Sequence, residues 1–216
     1  MDNISVIITA GGTSSRYGNK NKLLENLGDK TVIEQTVSKF SNINDIDEII
    51  ITANISIIDI LNTYFKNQNI KIIQGGETRQ ASVDNGLQIV KNKYVLIHDG
   101  ARPLIDCDTI VKTIEAVKKY GAVSVMTKTT DTIKEVDESG QIIRTIDRSK
   151  LYNTQTPQGF KTELIKDAHE KLKGQSFTDD ASMLEELNVP VFIIEGDYKN
   201  IKITTKSDLD FAKLYV

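Results

Sequence analysis

The absences in this chain narrow its function first. Among 216 residues there is one cysteine, no tryptophan and only three prolines. A lone thiol, Cys107, cannot close an internal disulfide, which points to a reducing compartment. No apolar run approaches the roughly 18 residues of a membrane span, so no membrane partner is expected. Asp2 follows the first methionine and no basic stretch precedes an apolar one, so no secretory signal is expected and a cytoplasmic location is. The formal net charge is −3, which supplies no basic face for nucleic acid. There is no internal repeat, no low-complexity tract and no Pro/Ser/Gly-rich linker, so the chain is expected to form a single domain over 1–216. Neither G-x-G-x-x-G nor G-x-x-x-x-G-K-[ST] occurs, which removes the simplest dinucleotide and P-loop readings.

What is present is alternation. Short Val/Ile-rich runs at Ser5–Thr9, Glu48–Thr52, Lys71–Gln74, Tyr94–His98 and Ala122–Met126 read as strands. Between them apolar residues recur at helical spacing: Val32, Ile33, Thr36, Val37, Phe40; then Ile57, Ile58, Leu61, Phe65; then Ile110, Val111, Ile114, Val117. Such β-α-β-α order predicts an α/β fold with a mainly parallel sheet and helices on both faces. After Met126 the pattern breaks. Thr130–Val136 and Gln141–Ile146 read as two strands around Asp137-Glu138-Ser139-Gly140, a protruding hairpin arm at about 130–155 that must pack on something besides its own sheet. Helices are expected again at Lys161–Leu172 and Asp179–Leu187, a strand at Pro190–Ile194, and a last helix at Asp208–Leu214 capped by Ser207.

Ligands of open α/β sheets sit beyond the carboxyl ends of the strands, and the unusual residues of this chain gather there. The first such loop is Ala10-Gly11-Gly12-Thr13-Ser14-Ser15-Arg16, with Lys22 six residues on. Glycines let backbone N–H groups approach phosphate oxygens, and Arg16 and Lys22 can neutralise them; Lys20 competes with Lys22 for that role. The second is Gly75-Gly76-Glu77-Thr78-Arg79-Gln80-Ala81-Ser82, suited to reading a base edge through backbone groups and the Ser82 hydroxyl. The third is His98-Asp99-Gly100-Ala101-Arg102-Pro103, where Asp99 ends an apolar strand and is placed to hold Mg²⁺ with phosphates completing the shell. Arg102 either contacts a phosphate or pairs with Asp99. His98 reads as a hydrogen-bonded core residue, His169 as a solvated mid-helix one and Cys107 as buried filler. Further on, Thr178 reads as a helix N-cap and Lys202 as an edge lysine in a strand-like stretch.

The ordered set A-G-G-x-S-S-R…K, G-G-x-x-R-x-x-S-V, H-D-G-A-R-P, D-T-I-K, D-R, T-P-Q-G-F, T-D-D-A-S and N-I-K-I-T resembles the 2-C-methyl-D-erythritol 4-phosphate cytidylyltransferase family over nearly the whole chain. Ribitol-5-phosphate cytidylyltransferases share many of these motifs, whereas Ser82-Val83 and Thr178–Ser182 look more like the methylerythritol enzymes. The resemblance implies a Rossmann-like fold of the nucleotide-diphospho-sugar transferase type and CMP transfer from CTP. It implies Arg16, Lys22, Arg148 and Lys202 as catalytic cations, and Ala10, Gly11, Gly12, Gly76, Ser82, Asp99 and Gly100 around CTP. Arg102, Thr132, Arg148, Thr156, Thr178 and Lys202 would bind methylerythritol phosphate, with Asp99 holding Mg²⁺. It also implies a homodimer in which Thr132 and Arg148 of the arm serve the partner's site. Ser14 stands where most relatives have Gly.

Overall fold

The computed structural model describes residues 3–12, 17–18 and 21–216. Arg16, Ser14 and Lys20, three residues singled out in the sequence, lie outside them.

The five expected strands form, each within two residues of its expected bounds: β1 (Ile4–Ala10), β4 (Ile46–Ala53), β5 (Ile70–Gln74), β6 (Tyr94–Asp99) and β7 (Ala122–Lys128). Short β2 (Asn26–Leu27) and β3 (Lys30–Thr31) make a small hairpin before α1 (Val32–Ser41). Helices α2 (Ile58–Tyr64), α3 (Arg79–Leu87) and α4 (Cys107–Tyr120) follow, then the arm strands β8 (Lys134–Val136) and β9 (Ile142–Thr145). The chain continues through β10 (Tyr152–Lys161), α5 (Thr162–Lys171), α6 (Asp180–Glu186), β11 (Phe192–Glu195) and α7 (Lys206–Ala212).

The sheet runs β11-β7-β10-β6-β1-β4-β5. All strands are parallel except β10, which lies antiparallel between β6 and β7. Sequence pattern predicts no strand here, because Tyr152–Lys161 carries Pro157, Gly159 and a run of Asn, Thr and Gln that gives no apolar alternation. Tertiary burial overrides that pattern: Gln155 to Phe160 are buried, and Gly159 sits where a Cβ would meet Leu96 Cδ2 at 2.9 Å and Val123 Cγ2 at 3.1 Å. Register slips between Thr154 and Gln158, which pair with Met126 and Ser124. This bulge accommodates Pro157, which lacks the ladder N–H, and turns Thr156 toward the carboxyl end of β6.

Two apolar layers clamp the sheet. Ile4, Val6 and Ile8 face one with α1, α2, α4 and α7; Ile7, Ile50, Val95 and Ile97 face the other with α3, α5 and α6. Alternate residues of β1 thus enter opposite cores, and both halves of its run are apolar because both faces are covered. Two end assignments differ from expectation. Thr205, not Ser207, caps α7, in a capping box with Asp208, and Asp179, not Thr178, caps α6 by accepting from Ser182 N. Cys107 is exposed at the start of α4 rather than buried, and His169 is buried rather than solvated. Residues 200–204 around Lys202 form no strand.

Replacing Gly159 by valine would overpack the seam between β6, β10 and β7. The expected loss is about 1–3 kcal/mol of unfolding free energy at unchanged denaturant m-value, read by urea titration.

Candidate active site

The strands' carboxyl ends deliver three loops to one edge of the sheet, as the α/β rule requires. After β1, Ala10, Gly11 and Gly12 line a cavity of about 270 Å³ together with Lys22, Leu23, Ser82 and Lys202. Gly11 must be glycine: a Cβ there would stand 2.8 Å from Ser82 Oγ. Ser82 packs that close because its hydroxyl is tied to Thr78 O at 2.8 Å and accepts the Gly76 N–H at 3.1 Å, joining the second loop to the first turn of α3. Gly100 closes the floor by donating to Thr9 O, and its own carbonyl accepts from the Thr36 hydroxyl.

A second cavity of about 440 Å³ opens beside the first, lined by Arg102, Thr154, Thr156, Gln158, Thr178 and Asp179 among others. The two share Arg79, Asp99 and Lys202. At this junction Asp99 Oδ2 lies 2.7 Å from Lys202 Nζ and 3.7 Å from Arg102 Nε, and Oδ1 lies 3.0 Å from Arg79 Nε. Arg79 reaches the other way to the buried Asp180, Nη2 to Oδ2 at 2.8 Å. Burial alone would raise the Asp99 carboxyl; Arg79, Lys202 and Arg102 instead hold it well below the usual carboxylate range. Burial likewise lowers Arg79, and the two carboxylates more than reverse this. The site therefore gathers three cationic side chains around two carboxylates, in a chain whose formal net charge is −3.

Of the two alternatives for Arg102, the pair with Asp99 is present at 3.7 Å; its Nη1 donates to Asn200 O at 2.7 Å, and the side chain also lines the second cavity. Asn200 is buried and donates to Gln155 Oε1 and Thr156 O, and Ile203 N bonds Ala101 O. Those bonds pin the irregular segment that carries Lys202 onto the Asp99 loop. Gln158, also buried, donates to Asp179 Oδ2 and Ser124 Oγ and accepts the first N–H groups of α6, from Asp180 and Ala181. It thereby sets Asp180 opposite Arg79. Arg79 and Gln158 both stand inside sequence motifs that assign them no role; their partners lie in distant segments, which no local spacing reveals. His98 is a buried, hydrogen-bonded residue as expected, and burial lowers its pKa to about 3.

Thr132 and Arg148 line neither cavity. Both are exposed on the arm, where Arg148 Nη1 donates to Thr130 O. Among the described residues no group of three or more His, Cys, Asp or Glu side chains could hold a metal ion. Among those residues Asp99 is the one carboxylate that both cavities share, and its two oxygens are engaged by Arg79 and by Lys202.

The sequence profile of the 2-C-methyl-D-erythritol 4-phosphate cytidylyltransferase family matches residues 4–216. Enzymes of that name from Caldanaerobacter subterraneus and Clostridium tetani are 40% and 41% identical, with 99% and 97% of this chain and 99% and 89% of theirs aligned. The 4-diphosphocytidyl-2C-methyl-D-erythritol synthase of Anaerococcus prevotii superposes with a TM-score of 0.89 at 34% identity, covering 99% of this chain and 96% of the other. The cytidylyltransferase of Thermus thermophilus superposes with a TM-score of 0.85 at 30% identity, covering 99% and 98%.

The ion cluster has a definite acid signature. Asp99 has a folded pKa below its unfolded value, so its pairing stabilises the fold above about pH 4 and is lost as pH falls through that range toward the folded pKa. Asp99→Asn should flatten the acid limb of stability measured from neutral pH to pH 3, and lower stability at pH 7 by less than the about 3–5 kcal/mol of a fully buried pair, because Lys202 is 40% exposed and Arg79 keeps Asp180.

Proposed function

Because the chain belongs to the 2-C-methyl-D-erythritol 4-phosphate cytidylyltransferase family, we propose that its two cavities hold the two substrates of that reaction, CTP in the first and the acceptor in the second. The protein is a nucleotidyltransferase of isoprenoid precursor biosynthesis, transferring CMP from CTP to 2-C-methyl-D-erythritol 4-phosphate with release of pyrophosphate. This acceptor is favoured over ribitol 5-phosphate by the family match and by both of those relatives' names. The observation that carries the site assignment is the shared wall: cavities that meet at Arg79, Asp99 and Lys202 can bring two phosphate-bearing ligands edge to edge.

A phosphate oxygen of the acceptor attacks the α-phosphorus of CTP, and the bond to the β-phosphate oxygen breaks. The second pKa of a phosphate monoester is about 6, so the nucleophile is mostly a dianion at neutral pH and needs no general base. The obstacle is repulsion between two polyanions. Lys202 and Lys22, with Arg16 beyond the described residues, supply the opposing charge, and Arg102 faces the acceptor. Mg²⁺ held by Asp99 and the triphosphate would add charge neutralisation there. Backbone groups of Ala10, Gly11 and Gly12 beside Ser82 would form the cytosine end, where a carbonyl can accept from the exocyclic amine and an N–H can donate to N3, with Gly76 behind them, its own N–H held by Ser82.

The arm completes the site from a second copy of the chain. Val136, Ile142 and Ile143 are more than half exposed, and β8 and β9 pair only with each other among the described strands. A two-stranded ribbon is marginal alone, so a homodimer in which the arm embraces the partner gives it a surface and brings Thr132 and Arg148 to the partner's acceptor cavity. A soluble dimer of this kind suits the cytoplasm, and among the described residues no helix is long and apolar enough to cross a membrane.

Pyrophosphate release with CTP and methylerythritol phosphate tests the assignment; comparable turnover with ribitol 5-phosphate or with UTP would refute the acceptor or the base reading. Lys202→Ala should remain folded and lose roughly 10²–10³ in kcat/KM, the scale of one removed transition-state charge. Mixing inactive Lys202→Ala with inactive Arg148→Ala subunits should restore activity, since one composite site per mixed dimer is intact. Restoration no greater than the sum of the parents would exclude the shared site.

A further inference from the structure

Around His98 every hydrogen bond has an assignable direction. The ring is fully buried against Phe40, with centroids 4.8 Å apart. Its Nε2 lies 3.2 Å from the carbonyl oxygen of Arg102, which can only accept, so Nε2 carries the proton. In a neutral ring Nδ1 is then an acceptor. It lies 2.9 Å from Thr156 Oγ1, so the threonine hydroxyl donates to it. The same oxygen accepts the Asp99 N–H at 3.1 Å. A hydroxyl has one proton and two lone pairs. The proton and one lone pair of Thr156 are committed inside the protein, and one lone pair remains on a side chain that lines the second cavity.

We propose that His98 is a positioning residue that makes the Thr156 hydroxyl an acceptor only, so that Thr156 selects a hydroxyl of the acceptor substrate and turns its phosphate away. This rests on the second cavity being the acceptor site. A phosphate dianion offers only lone pairs and would face another lone pair. A polyol hydroxyl supplies the missing proton. The neighbouring cations Arg102 and Lys202 have the opposite preference. A polyol phosphate is thus read at both ends, hydroxyl to Thr156 and phosphate to the cations, which fixes the direction in which it lies. Bonding of both ring nitrogens to the Asp99 loop and the β10 bulge also prevents His98 from turning over and reversing the polarity.

Imidazole nitrogen resonances of ¹⁵N-histidine-labelled protein, assigned with a His169→Gln variant, test the tautomer directly. At neutral pH His98 should show a pyrrole-type Nε2 and a hydrogen-bonded pyridine-type Nδ1, and in Thr156→Val the Nδ1 resonance alone should move. A protonated Nδ1 overturns the proposal. In kinetics, Thr156→Val should raise KM for the acceptor about tenfold, the scale of one hydrogen bond, with KM for CTP within about twofold, and Thr156→Ser should restore it. An unchanged acceptor KM, or an equal rise in both KM values, overturns it. Arg102→Gln separates the two possible failures. If it raises the acceptor KM while Thr156→Val does not, only the hydroxyl reading fails; if both are silent, the cavity itself is misassigned.

Discussion

The carboxylate of Asp99 is the constraint on which the site depends. β6 ends there because its apolar run carries the chain through the sheet centre and out at the carboxyl edge, leaving a charged group almost wholly buried. An unpaired charge in that position would cost several kcal/mol or force protonation. The fold instead brings cations from three places: Arg79 from the start of α3, Arg102 from the loop after β6, and Lys202 from the irregular segment before α7. Each is positioned by its own supports, Asp180 for Arg79, Asn200 for Arg102 and the Ile203–Ala101 bond near Lys202. Structural need and chemical need coincide. On the proposed assignment, the cations gathered to neutralise one carboxylate would also form the positive wall that a triphosphate and a phosphate monoester require. An overall acidic chain thus presents local positive charge without a basic surface.

The supports converge on β10. Inserted antiparallel between two parallel strands, it places Thr156 against His98 and Asp99, and Gln158 against the N-terminus of α6. Gln158 uses both ends of its amide, two donors and one acceptor oxygen, with no water needed among its partners. A fully satisfied buried amide of this kind specifies one arrangement, because any shift leaves several polar groups unpaired. Gln158 therefore governs where Asp180 lies, Asp180 where Arg79 points, and Arg79 one side of Asp99. The second cavity and the ion cluster are a single mechanical unit.

Sequence is most legible where one residue type can act alone. Val/Ile runs mark the five core strands because strands buried on both faces need nothing but apolar side chains. Asp99 stands out because a carboxylate ending such a run must be either paired or used as a ligand. The resemblance to a known family supplies the rest of the site residues, including Lys202, whose segment has a strand-like local pattern and forms no strand. What stays hidden is set by tertiary contacts. β10 contradicts its own composition and is held by burial between Leu96 and Val123. Arg79 pairs with residues 20 and 101 positions away. His169, mid-helix and polar, has the pattern of a solvated residue, yet α5 turns it inward toward α3, where burial lowers its pKa. Thr132 and Arg148 come from the resemblance alone, and the structure leaves both exposed on the arm, outside the two cavities.

The charge states around Asp99 also fit the proposed mechanism, which needs no proton-transfer residue. Asp99 is held ionised by its cations, Arg79 is held protonated by its carboxylates, and His98 is held neutral by burial. All three shifts run away from neutrality, so none of these groups is tuned to change charge near pH 7. If this site holds the two polyanions as proposed, a titrating cation would be a liability: its loss of charge would weaken binding when the nucleophile was most reactive. A histidine sits one residue from the central carboxylate, but it is fixed at both nitrogens and closed to solvent. The fold uses it as a hydrogen-bonding element of defined polarity. On the proposed mechanism, rate enhancement would rest on where these charges stand, and their positions follow from how a buried carboxylate, an antiparallel strand and one amide side chain are mutually satisfied.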